Sequence, residues 1–213
     1  MTLRLNGSTS GYTEIDAPAV AGSNTLVLPT GNGTADQALV TNGSGALSFA
    51  DRGRMVLETA KAWNWNSLTT NASIDFTGIP SWVKRVTVMF NGVSTNGTSL
   101  VQVQVGAGSV TTSGYTSSAT STSSTPVNSG SITSGFAVIG QGSAIITING
   151  QLVVTNVTGN AWCAGLSGMS AGTVALCGGG NVTLSGTLDR VRITTVNGTD
   201  TFDAGTINIL VEG

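Results

Sequence analysis

Residues 73–93 read SIDFTGIPSWVKRVTVMFNGV, and the character of the chain changes across them. Ile74 and Phe76 open an apolar/polar alternation, Gly78 and Pro80 interrupt it, and Trp82, Val86, Val88 and Phe90 fall on one face of a period-two pattern. That pattern describes a half-buried strand entered through a rigid turn, with Trp82 on its core side. Asn91-Gly92 closes the stretch with a dipeptide that reaches positive φ easily, so the spacing predicts a tight hairpin loop and an antiparallel return.

On the C-terminal side, no Asp, Glu, Lys, Arg or His occurs from Val86 to Leu188, close to half of the 213 residues. A segment this long without charge stays in solution by presenting Ser, Thr, Asn, Gln and ordered backbone, not by mutual repulsion. The whole chain has 30 Gly, only 8% charged residues and a net charge of −2. With Val, Ile and Thr concentrated in the patterned segments, this composition points to an all-β protein with many turns and argues against a helical bundle or a βαβ enzyme. The few cations form no cluster, which sets nucleic acid aside as a partner. No apolar run reaches membrane-spanning length and the N-terminus lacks the pattern of a secretory signal, so neither membrane insertion nor signal-led secretion is expected. Five Asn-Gly-Ser/Thr triplets, at Asn6, Asn32, Asn42, Asn96 and Asn197, are read as turns, not as sites of glycosylation.

The first fifty residues contain short extended pieces, LRL, YTEIDAPAV, NTLVLPT, ALVTN and ALSFA, each with only two or three apolar side chains. One copy buries too little surface to offset an ordering cost of about 1 kcal/mol or more per residue. Three copies wound about one axis do not face that deficit. Residues 1–53 are therefore expected to form a thin, oligomeric β-rich stalk, with a flexible linker as the alternative, and residues 54–213 a head. In the head, 55–63 reads as a strand, with Trp63 and Trp65 beyond it assigned to the stalk–head junction. LVQVQV at 100–105 is a strand with Val101, Val103 and Val105 inward, and residues 106–134 are nearly featureless apart from Tyr115 and Pro126. Asn149-Gly150 reads as a second hairpin turn, Trp162–Cys177 as irregular, and the last strand has Ile207, Ile209 and Val211 inward. About eight strands in this part imply a two-sheet β-sandwich of jelly-roll type.

Chemistry-bearing residues are sparse. Without His, the usual nucleophilic triads are unavailable, and two cysteines cannot build a structural zinc site. Cys163 and Cys177 either face each other on adjacent strands as a disulfide or stay free. Asp200 and Asp203 are assigned to turns and Asp189 to an ion pair with Arg190, Arg192 or Lys84, in preference to a glycosidase-like carboxylate pair; Asp200-x-x-Asp203 is a poor calcium site. No catalytic residue, metal or cofactor is expected. Tyr115, Asn160 and Trp162 lie outside the clear strands and are the candidates for contacting a sugar.

Two long segments carry a resemblance. LRLNGSTSGYTEIDAPAVAGSNTLVLPTGNGTADQALVTNGSGALSFA is similar to a stalk module of tailed-bacteriophage fibres and appendages. IDFTGIPSWVKRVTVMFNGVSTNGTS together with SGTLDRVRITTVNGTDTFDAGTINILVEG resembles a head domain of phage tail-fibre-like proteins. Residues from about 106 to 180 match neither. The resemblance implies a homotrimeric virion appendage, assembled in the host bacterial cytoplasm. Its N-terminal part would attach to another virion protein of tail, baseplate or capsid, and its head would engage a host cell-surface glycan or protein. A capsid decoration protein or head fibre that stabilises the shell is the alternative expectation, and a polysaccharide depolymerase a lesser one.

Overall fold

The computed structural model describes residues 3–16, 18–20, 22–23, 25–35, 37–51, 55–59, 61–62, 71–122, 131–138, 144, 146–170 and 174–213. Among them the fold is all-β, with antiparallel sheets and no helix. The chain divides into two compact units, Met1–Arg52 and Gly53–Gly213.

The first unit holds two hairpins. Strands β1 (Leu3–Asn6) and β2 (Tyr12–Ile15) pair antiparallel, as do β3 (Gln37–Thr41) and β4 (Leu47–Asp51). The turn between β3 and β4 is shaped by Asn42, whose Oδ1 accepts from the N–H groups of Ser44 (2.8 Å) and Ala46 (3.2 Å). Across the first hairpin Arg4 Nε donates to Glu14 at 2.6 Å and its guanidinium lies over the Tyr12 ring. No described residue of this unit is buried. Leu3 is 57% exposed, Tyr12 59% and Val20 92%, with Leu5, Ile15, Leu26, Val27 and Leu28 similarly bare. Two-stranded hairpins in isolation are marginal in water, and these have no core of their own.

Among its described residues the second unit contains thirteen strands, more than the eight counted from turn spacing. They are β5 (Met55–Leu57), β6 (Lys61–Ala62), β7 (Ser73–Thr77), β8 (Arg85–Thr95), β9 (Val101–Ala107), β10 (Ser109–Val110), β11 (Thr116–Ser121), β12 (Phe136–Val138), β13 (Ile148–Thr158), β14 (Ala161–Ser170), β15 (Val174–Thr183), β16 (Arg190–Thr195) and β17 (Phe202–Glu212). The larger sheet runs β11-β15-β14-β13-β8-β17-β5, with β6 also on β17; the smaller runs β10-β9-β16-β7, with β12 also on β9. Their inner faces meet in one apolar core. Val86, Val88 and Phe90 of β8 and Ile207, Ile209 and Val211 of β17 are buried as the alternation required, and Trp82 is half-buried against that core.

Four sequence expectations fail here. Asn91-Gly92 is not a hairpin loop, because β8 continues to Thr95. Asn149-Gly150 is not one either: it lies near the start of the eleven-residue β13. Both dipeptides are irregularities inside long strands, where the β8–β13 register slips between Ile148 and Gly150 and the β8–β17 register slips near Ala204. Gly92 (φ 64°) and Gly150 (φ 133°) supply the backbone that such bulges need. The two dipeptides meet, since the Gly92 N–H donates to Asn149 Oδ1 at 2.8 Å. The third failure is Trp162–Cys177, read as irregular, which contributes most of β14 and the start of β15. Here inward Trp162, Leu166 and Leu176 are so widely spaced by Gly, Ser and Ala that the period-two signal is faint. Likewise residues 106–134, read as nearly featureless, include β10 and β11. Trp63, Trp65 and Pro126 lie outside the described residues.

Candidate functional site

The three residues expected to contact a sugar are not on one surface. Tyr115, expected to be exposed, is 2% exposed. Its hydroxyl accepts from the Val105 N–H at 2.8 Å and donates to the Val105 carbonyl at 3.1 Å, while its ring meets Phe136 edge-on at 5.0 Å between centroids. Burial pushes its pKa up to about 12, partly opposed by the hydrogen bond with Val105. Trp162, also expected outside, points inward from β14 and is 4% exposed; its indole N–H has no partner among the described residues. Asn160 is half-buried in the β13–β14 turn, where its carbonyl accepts from the Leu184 N–H. Aromatic character drew attention to Tyr115 and Trp162, and the same character put them in the core.

The carboxylates are engaged separately. Asp200 accepts from the Asn197 side chain (2.6 Å) and from the Ser99 N–H (2.8 Å), which hold its pKa below the ordinary carboxylate value in that order of weight. Asp203, assigned to a turn, instead stands near the start of strand β17 and accepts from the Ser94 hydroxyl of β8. Asp189 pairs with Arg190 (2.7 Å), whose hydrogen bond lowers the Asp189 pKa, and Arg192 forks onto Asp75 at 2.7 and 2.8 Å. Among the described residues no group of three His, Cys, Asp or Glu side chains is placed to hold a metal ion. Asn197 serves a turn as expected, its Oδ1 accepting from the Thr199 and Asp200 N–H groups, while Asn96 Oδ1 accepts from the Thr201 N–H of a loop distant in sequence.

Cys163 and Cys177 are free and exposed. They sit on neighbouring strands, but Cys163 pairs in register with Asn181 and Cys177 with Ser167. Four residues of offset separate them by about 13 Å along the strands, beyond disulfide reach.

Each outer face of the sandwich carries a concave surface. On the smaller sheet a cleft of about 330 Å³ is lined by Gln102, Gln104, Thr112, Ser134, Arg192 and Thr194 among others. Strand β9 is buried on both faces, so Gln102 and Gln104 form the cleft floor, not a solvated edge. They are held in place: Gln102 Nε2 donates to the Thr195 carbonyl (3.4 Å), Ser134 Oγ to Gln102 Oε1 (2.7 Å), and Gln104 Nε2 to the Ser134 carbonyl (2.8 Å). Amides, hydroxyls and one guanidinium neutralised by Asp75 suit a neutral, hydroxyl-rich ligand, and the cleft has no nucleophile–base pair. The alternation of β9 was legible, but not that its polar side would be covered.

On the larger sheet a shallower groove of about 580 Å³ runs between Met89, Asn149, Gln151, Ser167 and Met169 over Gly150 and Gly168. The floor is low because a Cβ on Gly168 would stand 2.5 Å from the Asn149 carbonyl oxygen. Two methionines thus wall a glycine floor, an adaptable apolar trough.

No protein-family model, curated protein or solved structure matches the chain.

Proposed function

We propose that the protein is a structural, non-enzymatic component of a bacteriophage virion: a short homotrimeric fibre that attaches through its N-terminal unit to another virion protein and engages the host surface with its sandwich head. One observation carries the reading. The N-terminal unit has ordered hairpins and not one buried residue among those described, whereas the following unit has a full core. Ordered strands with bare Leu, Ile, Val and Tyr side chains need identical strands to cover them. A trimeric stalk does this by setting the hairpins of each copy against those of two others around one axis.

The strand order supports a jelly-roll reading of the head. Successive strands β7, β8 and β9 alternate between the sheets, as do β12 and β13 and again β16 and β17. The last strand, β17, lies beside β5 and β8. The polar cleft over Gln102 and Gln104 takes the place of Tyr115, Asn160 and Trp162 as the contact for a host glycan. Thr112→Trp, an exposed change on the cleft wall, is expected to abolish saturable binding of the purified full-length protein to host cells while leaving its far-UV circular dichroism unchanged. Wild-type protein that binds no host cell, or a Thr112→Trp protein that binds as well as wild type, contradicts this assignment. Immunogold microscopy of purified particles places the protein on tail or on capsid; a capsid location would favour the decoration-protein reading.

A further inference from the structure

The sandwich is dressed differently on its two outer faces. The smaller sheet presents Asp75 on β7 and Arg190 and Arg192 on β16, a charged and polar surface. The outer face of the larger sheet follows from its register. One row runs Leu57, Leu210, Thr87, Val153, Gly165, Gly179 and Ser118 across the seven strands. The next runs Asn208, Met89, Gln151, Ser167, Cys177 and Thr120. A third holds Arg85 and Glu212, which pair with each other at 3.6 Å, followed by Thr155, Cys163 and Asn181. That mutually neutralised pair is the face's charge among these rows. Met55 and Leu57 on the edge strand β5 are 67% and 63% exposed and extend the apolar part of the face, and the methionine-walled groove is set into it.

We infer that this face is the contact between heads, and that its occupant is the head of another copy of the chain. Two features select that occupant. These rows carry a single, mutually neutralised ion pair, so one half of the face on one copy meets the other half on the next around a shared axis without like-charge repulsion, whereas an anionic surface or a basic protein finds no counter-charge in them. Six inter-strand spacings by about six residues of strand give roughly 600 Å² per copy, approaching the ~800 Å² per partner of a stable interface. Small side chains at Gly165, Gly179, Ser167 and Ser118 make one half flat enough for close approach, and Leu57, Leu210, Val153 and Met89 give the other half its apolar area.

The inference rests on the self-assembly proposed above but adds which surface of the head is covered. The two native thiols, Cys163 and Cys177, stand on this face and report on it. Full-length protein at a concentration where its mass is that of an assembly is treated with a maleimide, beside a Thr112→Cys variant whose added thiol lies on the opposite face. Cys163 and Cys177 are expected to label at least tenfold more slowly than Cys at 112, and Ser167→Arg, an exposed change with no core contact, to lower the assembled mass without altering the circular dichroism. An assembled protein whose native thiols label as fast as the control overturns the inference while leaving the assembly intact, and so assigns the face to a virion or host partner. A protein that stays a single chain overturns both.

Discussion

Tyr115 is one of the largest fully buried side chains of the head, and its hydroxyl is bound twice by one backbone residue, Val105. Tyr115→Phe keeps the ring against Phe136 but strands the buried Val105 N–H, so it is expected to lower stability by about 1–3 kcal/mol, read as a shift of the denaturation midpoint at constant slope. The same residue sets an alkaline limit. Its folded pKa of about 12 exceeds the ordinary 10, so the stability it contributes is complete below pH 10 and is lost as pH rises toward 12, amounting to about 3 kcal/mol. Unfolding followed across that window should show the wild-type midpoint falling, and the Tyr115→Phe midpoint falling less. Asp189 and Asp200 act in the other direction: their lowered pKa values give stability that is present above the ordinary carboxylate value and is lost as pH falls below it. At this scale the turn formed by Asn197 with Thr199 and Asp200 was legible, because Asx chemistry is local, whereas the bond from the Thr201 N–H to Asn96 joins two loops far apart in sequence and was not. The burial of Tyr115 and Trp162 was not, because it depends on strands whose own signal is diluted by Gly and Ser.

The two Asn-Gly dipeptides show how one local preference serves two elements. Positive φ at glycine fits a two-residue hairpin loop and fits a bulge, and what separates them is whether strand pairing continues on both sides. At Gly92 it does, through Val93–Thr95, and β17 answers with its own irregularity at Gly205 (φ 88°). A Cβ at Gly92 would meet nothing within 4 Å, whereas one at Gly205 would strike the Gly92 carbonyl. Gly92→Ala is therefore expected to cost about 1 kcal/mol, for φ alone, and Gly205→Ala at least twice that. Equal losses in thermal or chemical denaturation would mean that the paired bulges do not constrain each other. By contrast, β8 up to Phe90 and β17 from Ile207 were readable from alternation alone, since each has one face on the core. Strand β14 was not, with Gly165 and Gly168 breaking its pattern and Cys163 standing outside.

For the molecule as a whole, the all-β class followed from Gly content, β-branched segments and the long uncharged stretch, while the pairing order of the sheets did not, because every neighbour of β17 lies far from it in sequence. The same order determines which truncations are informative. Removing residues 106–180, the segment that resembles nothing named above, would remove β10–β14 and most of β15, so it would destroy the larger sheet instead of testing binding specificity. Point changes on the two outer faces are the usable probes. The proposed assembly itself turns on the contrast between an N-terminal unit with no buried residue among those described and a head with a complete core. Native mass spectrometry of the full-length chain at micromolar concentration tests this contrast most directly: three times the 21.3 kDa of one chain is the expected mass, and a single chain whose N-terminal amides are nevertheless protected from exchange would contradict it.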